Sequence, residues 1–222
     1  MCIRDRTYVL KLKNNSKISK FVTNNKKSIA VRFPKHKLLR NLLKNLDYPV
    51  AAPSANISSR LSSVKPSDVK EEFGSKIKYI LNGGKSKIGV ESTILNLLEK
   101  PSLLRYGGLD TKKIENVLKK KLLINTNSKK KLSPGLFPLH YSPGIPLRVN
   151  VKKPKKDEAY LLIKKRKLKL KNYYYLSKVK NIEEAAKNLY STLRKIKNDG
   201  FKKIAVETCL LYTSDAADEF MG

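Results

Sequence analysis

Serine, asparagine and arginine at two places in this chain could recognise an anion, a ribose or a carboxylate, and a histidine and tyrosine at a third could join them. The apolar run Val50-Ala51-Ala52-Pro53 gives way to Ser54, Ala55 and Asn56, with Ser58, Ser59, Arg60, Ser62 and Ser63 close behind. Hydroxyls and an amide placed there offer hydrogen bonds to phosphate or ribose, although an ordinary serine-rich loop would look the same. Arg32 closes the apolar run Ile29-Ala30-Val31. Its planar guanidinium suits either a satisfied structural cation or a bidentate receptor for a carboxylate. Further on, Ser133 to Gly144 presents His140 and Tyr141 on a path fixed by proline and glycine. Those two large hydrogen-bonding side chains could close over a ligand or simply tether the segment to a domain surface.

The elements that would position these groups are short. Alternation at 8–12 and an apolar run at 29–33 predict strands, and leucines at 38, 39, 42, 43 and 46 fall at helical spacing. The run at 50–52 reads as a buried strand delivering the serine-rich loop at its carboxyl end, where open α/β sheets place ligands. Ser67 is the expected cap of a short helix, and Ile77 to Leu81 a strand ending at the turn Asn82-Gly83-Gly84. Strands are expected from Thr93 and at Leu103, the second ending in the pair Gly107-Gly108. A helix capped by Thr111 runs to Leu118. Beyond 157 come strands at 159–163, 173–176 and 204–206, with an amphipathic helix over 182–197. The Lys164–Lys171 charge run reads as a solvated turn. Such an order argues an α/β or α+β class. It divides into a domain at 7–125, a polar, Lys- and Asn-rich linker at 126–154, and a second α/β unit at 155–208.

The 222 residues suffice for a packed core, and the net charge of +31 comes from 49 Lys plus Arg against 18 Asp plus Glu. That excess suggests a polyanion partner such as RNA, yet nine of the 49 are Arg and the lysines are spread along the chain. No run reaches the length of a membrane span and the amino terminus lacks a signal-peptide core, which points to the cytoplasm and away from a membrane partner. Cys2 and Cys209 are too few for a disulfide or metal framework. Residues 1–6 and 209–222 resemble translated sequencing-adapter read-through. They are read as non-native ends of an internal piece of a longer protein.

Taken together, Ala-Val-Arg-Phe-Pro at 30–34, Pro-Ser-Ala-Asn-Ile-Ser at 53–58, Gly-Val-Glu-Ser-Thr-Ile at 89–94, Leu-Arg-Tyr-Gly-Gly at 104–108 and Ser-Pro-Gly followed by His-Tyr-Ser-Pro at 140–143 resemble the threonylcarbamoyl-AMP synthase family. More narrowly, the chain resembles the long form, with a YrdC-like catalytic domain, a linker and a small C-terminal α/β domain. The resemblance implies a twisted mixed sheet with flanking helices, plus a partial second domain. It also implies an enzyme that makes L-threonylcarbamoyl-adenylate from L-threonine, bicarbonate and ATP, with Mg²⁺, for threonylcarbamoyladenosine (t6A) in tRNA. On that likeness Arg32, Ala52 and Ser92 would bind threonine. Ser28, Ser54, Asn56, Ser62, Arg105, His140 and Tyr141 would contact ATP. No nucleophile is demanded, and the residues that would hold the metal are left unassigned. tRNA and the transfer enzymes of the modification are the further partners.

Three loops depart from the family pattern. Ser58-Ser59-Arg60-Leu61-Ser62 stands for Ser-Gly-Arg-Pro-Ser, Tyr106 for a proline, and Ser142 for an alanine. The family's amino-terminal Lys-x-Arg segment is absent, so this polypeptide by itself is expected to be inactive. A non-catalytic RNA-binding module keeping the same concave surface is the alternative, distinguished by salt-sensitive RNA affinity and no response to threonine with ATP.

Overall fold

The computed structural model describes residues 6–124, 142–167 and 170–208. In chain order its elements are β1 (Arg6–Lys11), α1 (Lys20–Thr23), β2 (Ser28–Arg32), α2 (Lys37–Lys44), α3 (Pro66–Phe73), β3 (Thr93–Asn96), β4 (Ser102–Arg105) and α4 (Thr111–Leu118). Then follow β5 (Leu123–Ile124), β6 (Leu147–Val151), β7 (Ala159–Lys164), β8 (Tyr173–Ser177), α5 (Ile182–Asn198) and β9 (Ile204–Glu207). These residues fall into two compact units, 6–53 with 91–124 and 54–90 with 142–208. The expected α/β class is present, with a mixed sheet in one unit and a parallel sheet in the other.

In the first unit the strand order is β2-β1-β3-β4-β5. β1 runs antiparallel to β2 and parallel to β3, and β4 runs antiparallel to β3. The register sets Thr7 opposite Arg32 and Val9 opposite Ala30. Because side chains alternate across a pleated strand, Thr7, Val9 and Arg32 share one face, with Val9 clustered against Ile94 and Leu104. The other face carries Tyr8, Leu95 and Leu103, on which α4 packs through Ile114. Asp110 caps that helix by accepting from the Lys112 N–H, so Thr111 is its first residue rather than its cap.

Two expected strands are not formed. Residues 48–53 pair with nothing in either sheet, and Val50 is 51% exposed. Pro49 and Pro53 each lack the N–H that a ladder requires, which leaves too few donors in so short a run. Ile77 to Leu81 is also irregular, with Tyr79 81% exposed, although the turn after it forms: Asn82 accepts from the Gly84 N–H at 3.0 Å. In α3, Pro66 rather than Ser67 opens the helix, and the Asp68 carboxylate takes the N–H groups of Val64 and Lys65 at 2.9 and 3.2 Å. Strands β5 and β6 and the single turn α1 are additions, β6 lying inside the 126–154 stretch read as a linker.

The second unit holds a four-stranded parallel sheet in the order β6-β9-β7-β8. Ala159 to Leu162 is buried throughout, as expected of a strand covered on both faces. One face meets α5 through Leu193 and Ile196, each 0% exposed, and each contributing about 2 kcal/mol of burial. Leu61 and Val64 join this core, so the serine-rich loop is continuous with it. Among the described residues no helix is long and apolar enough to cross a membrane.

Glu158, 2% exposed, is held by a two-pronged bond to Arg148 at 2.8 Å on each oxygen and by the Lys155 N–H at 2.7 Å. The Arg148 bond keeps its carboxyl below the ordinary value of 4.5. A depressed carboxyl adds stability that is complete above the unfolded-state value and fades as pH falls through the folded one. Glu158→Gln is therefore expected to lower the melting temperature by roughly 5 °C at neutral pH. The gap should narrow as the pH is lowered below the ordinary carboxyl value of 4.5, as followed by circular dichroism; a gap constant with pH would exclude the carboxylate as its source.

Candidate functional site

The first unit gathers two arginines and two hydroxyls around one atom. Ser92, fully buried in the loop before β3, accepts from Arg32 Nη2 and from Arg105 Nη2, both at 3.1 Å. Its Oγ also lies 2.9 Å from Thr7 Oγ1, which accepts from Arg32 Nε at 3.2 Å. A serine hydroxyl accepts twice and donates once, so Ser92 gives its proton to Thr7. Arg105, at the end of β4 and 5% exposed, also clamps the Ser92 carbonyl through Nε at 3.1 Å and Nη2 at 3.0 Å. Glu91 Oε2 stands 3.8 Å from the same Nη2.

The sheet explains the gathering. Arg32 ends β2 directly opposite Thr7, and β1 lies beside β3 with Arg6 opposite Thr93, one residue past Ser92. Gly107 lets the chain after β4 lie against that loop: a Cβ there would sit 2.2 Å from Thr93 N and 2.4 Å from the Ser92 carbonyl carbon. The Gly108 N–H bonds the Glu91 carbonyl, and Thr93 Oγ1 bonds both the N–H and the carbonyl of Leu109. Arg32 keeps a partly exposed edge, while Arg105 is enclosed. Paired guanidiniums beside hydroxyls can receive a carboxylate bearing a neighbouring polar group.

Ser28 opens β2 on the same face as Arg32, about 13 Å away along the strand. Ala52 is exposed in the irregular stretch of the first unit. Thr7 and Glu91 were not singled out from the sequence. Strand alternation places Thr7 on one face with Val9, but which residue stands across from it is a matter of register.

The second unit carries Ser54, Asn56 and Ser62. Ser54 is exposed and Ser62 is 1% exposed. Asn56 donates to the carbonyls of Ile57 and Arg60 at 2.9 and 3.0 Å, leaving its Oδ1 buried and without a partner. The loop is braced from two helices. Glu72 of α3 accepts from the Ile57 N–H at 3.2 Å and from Arg194 of α5 at 3.3 Å, and Arg194 donates to the Leu61 carbonyl at 2.6 Å. Nothing at 54–63 in the sequence pointed to Arg194, which lies 133 residues from Leu61. His140 and Tyr141 lie outside the described residues. Among the described residues no three His, Cys, Asp or Glu side chains cluster as a metal would require.

The mixed sheet with its arginine and serine centre is of the class matched at residues 4–107 by the Sua5, YciO and YrdC family model, described as "Telomere recombination". Residues 109–217 match the model described as "Threonylcarbamoyl-AMP synthase, C-terminal domain". The chain belongs to the threonylcarbamoyl-AMP synthase family. Threonylcarbamoyl-AMP synthase of Pyrococcus abyssi is 31% identical over 89% of this chain and 64% of its own length. That of Bacillus subtilis is 36% identical over 60% of this chain and 39% of its own length. The chain thus spans less than two thirds of these relatives. The crystal structure of Pyrococcus abyssi Sua5 complexed with L-threonine superposes with a TM-score of 0.78 at 30% identity, covering 91% of this chain and 64% of that one. A variant of the same archaeal protein, with an adjacent histidine and tyrosine both changed to alanine, gives 0.76.

Proposed function

We propose that this chain is part of an enzyme that forms L-threonylcarbamoyl-adenylate from L-threonine, bicarbonate and ATP. The observation that carries the reading is the convergence of Arg32, Arg105 and Thr7 on Ser92, in a chain similar to a protein solved with L-threonine. Arg32 receives the threonine carboxylate through its fork, with Ser92 and Ala52 against the rest of the amino acid. The carbamate formed on the threonine nitrogen attacks the α-phosphorus of ATP, and pyrophosphate departs. Such a reaction asks the protein to align two reactants and offset charge, and no side-chain nucleophile is required.

Ser28, Ser54, Asn56 and Ser62 serve as hydrogen-bonding contacts to ATP in this reading. The unpartnered Asn56 Oδ1 is suited to an amino or hydroxyl donor of the nucleotide. Arg105, already engaged with Ser92, reaches only groups that enter beside that serine. Mg²⁺ arrives with the ATP phosphates as part of the substrate. His140 and Tyr141 close over the nucleotide and keep water from a labile carbamate. The adenylate passes to enzymes that install t6A on tRNA, in the cytoplasm.

The test joins this chain to the part of the Pyrococcus abyssi relative that it does not match. Labelled threonine and bicarbonate are supplied with ATP and Mg²⁺, beside the unfused chain. The fusion is expected to make the adenylate and pyrophosphate in equal amounts, and the unfused chain neither. A folded fusion that binds ATP yet yields no product would favour the RNA-binding alternative.

A further inference from the structure

The carboxyl ends of three parallel strands in the second unit border a cleft that the reaction above does not use. β7 ends at Lys164, β9 at Glu207, and β8 at Ser177, three residues before Lys180. The cleft, about 270 Å³, is lined by Ile163, Lys164, Lys165, Arg166, Lys180, Glu207 and Thr208. Four cations face one carboxylate, and that carboxylate is spent. Glu207 Oε1 takes a short bond from Arg166, and its Oε2 accepts from the Ile163 N–H at 3.3 Å. Arg166 is fixed a second time over the ring of Tyr160, 5.8 Å from its centroid. Lys164, Lys165 and Lys180 are exposed and have no acidic partner among the described residues. Lys180 has φ of +66°, a left-handed conformation that costs a lysine energy and is held by Ser177 Oγ accepting from the N–H groups of Val179 and Asn181.

We propose that this cleft binds the phosphodiester backbone of a nucleic acid. Carboxyl ends of parallel strands are where such sheets take ligands, and uncompensated lysines are matched by phosphates. A free nucleotide fits less well. The volume is below the usual range for enclosing a drug-sized ligand, and the run from the end of β7, Lys164-Lys165-Arg166-Lys167, includes no glycine to bring backbone amides against a pyrophosphate. Flexible lysines around an open cleft suit successive backbone phosphates. This site is independent of the adenylation reading, because it uses none of those residues.

The test compares two triple variants of the full chain, equal in net charge. One carries Lys164→Gln, Lys165→Gln and Lys180→Gln. The other carries Lys17→Gln, Lys113→Gln and Lys121→Gln, all exposed and in the first unit. Fluorescence anisotropy follows a labelled RNA hairpin and a DNA duplex of equal charge across a salt series, with melting curves to show that each variant is folded. The cleft variant is expected to bind about 10-fold more weakly at 0.1 M salt and to lose roughly two units of salt slope, the control less than 2-fold. An equal loss on RNA and DNA assigns the site to the shared backbone; a loss on RNA alone assigns it to the ribose hydroxyls as well. Equal losses in both variants would overturn the proposal in favour of diffuse attraction by the +31 charge. Displacement of the hairpin by ATP at the cleft would overturn it in favour of a nucleotide pocket.

Discussion

Arg32→Ala in the fused enzyme is expected to weaken L-threonine binding by about 100-fold or more and to remove adenylate formation with it. Two charge-assisted bonds to the carboxylate are lost, while the fold has little reason to fail. Arg32 ends the edge strand β2 and is only partly buried, and Thr7 and Ser92 remain bonded to one another at 2.9 Å without it. Arg32→Lys should recover little, because an ammonium cannot present two parallel N–H groups or reach both Thr7 and Ser92. Isothermal titration with threonine, repeated with a threonine analogue lacking the carboxylate, separates this role from a structural one. The analogue should bind the variant and the parent equally poorly. Near-parental threonine affinity in Arg32→Ala would remove Arg32 from the site and the proposed function with it.

Gly107→Ala is the second large effect, and it acts through backbone. The new Cβ would meet Thr93 N at 2.2 Å, Ser92 C at 2.4 Å and Glu91 O at 2.5 Å, none of which can rotate aside as a side chain would. The chain after β4 must then draw away from the Glu91–Thr93 loop. That movement breaks the Gly108 bond to the Glu91 carbonyl and strains the paired bonds of Thr93 with Leu109. A stability loss of roughly 3 kcal/mol follows, near 10 °C in the melting temperature. Ser92 moves with the loop, so threonine should no longer raise the melting temperature of whatever remains folded. A variant that melts within about 2 °C of the parent and still responds to threonine would contradict the close packing.

How much of this was legible in the sequence varies with the range of the interaction. Strands β1, β2, β7, β8 and β9 and helices α2, α4 and α5 fall where alternation or helical spacing placed them, since those signals are local. The strand expected at 50–52 failed because an apolar run states only that a segment wants cover. Two prolines denied it a ladder, and among the described residues no strand edge takes it up. The helix cap at Ser67 was displaced by Pro66 and Asp68, whose combined preference for the first turn exceeds that of a serine one position later. β6 carries the apolar-polar alternation of a strand in Leu147-Arg148-Val149-Asn150-Val151, but it was passed over inside the stretch read as a linker, and its parallel pairing with β9 makes it a strand.

By itself the sequence determined the elements with strong local periodicity, the turn at Asn82, and the ordered set of short motifs that resemble one enzyme family. Tertiary structure decided which residues meet. Thr7 stands against Arg32 through the register of β1 with β2, and Arg105 reaches Ser92 across the β3–β4 pair. Arg194 braces the serine-rich loop from a helix far along the chain, and Lys180 joins Lys164 at the edge of a parallel sheet. Each of these depends on strand order and register. Those are set by burying apolar faces across the whole unit, and no window of neighbouring residues contains that information.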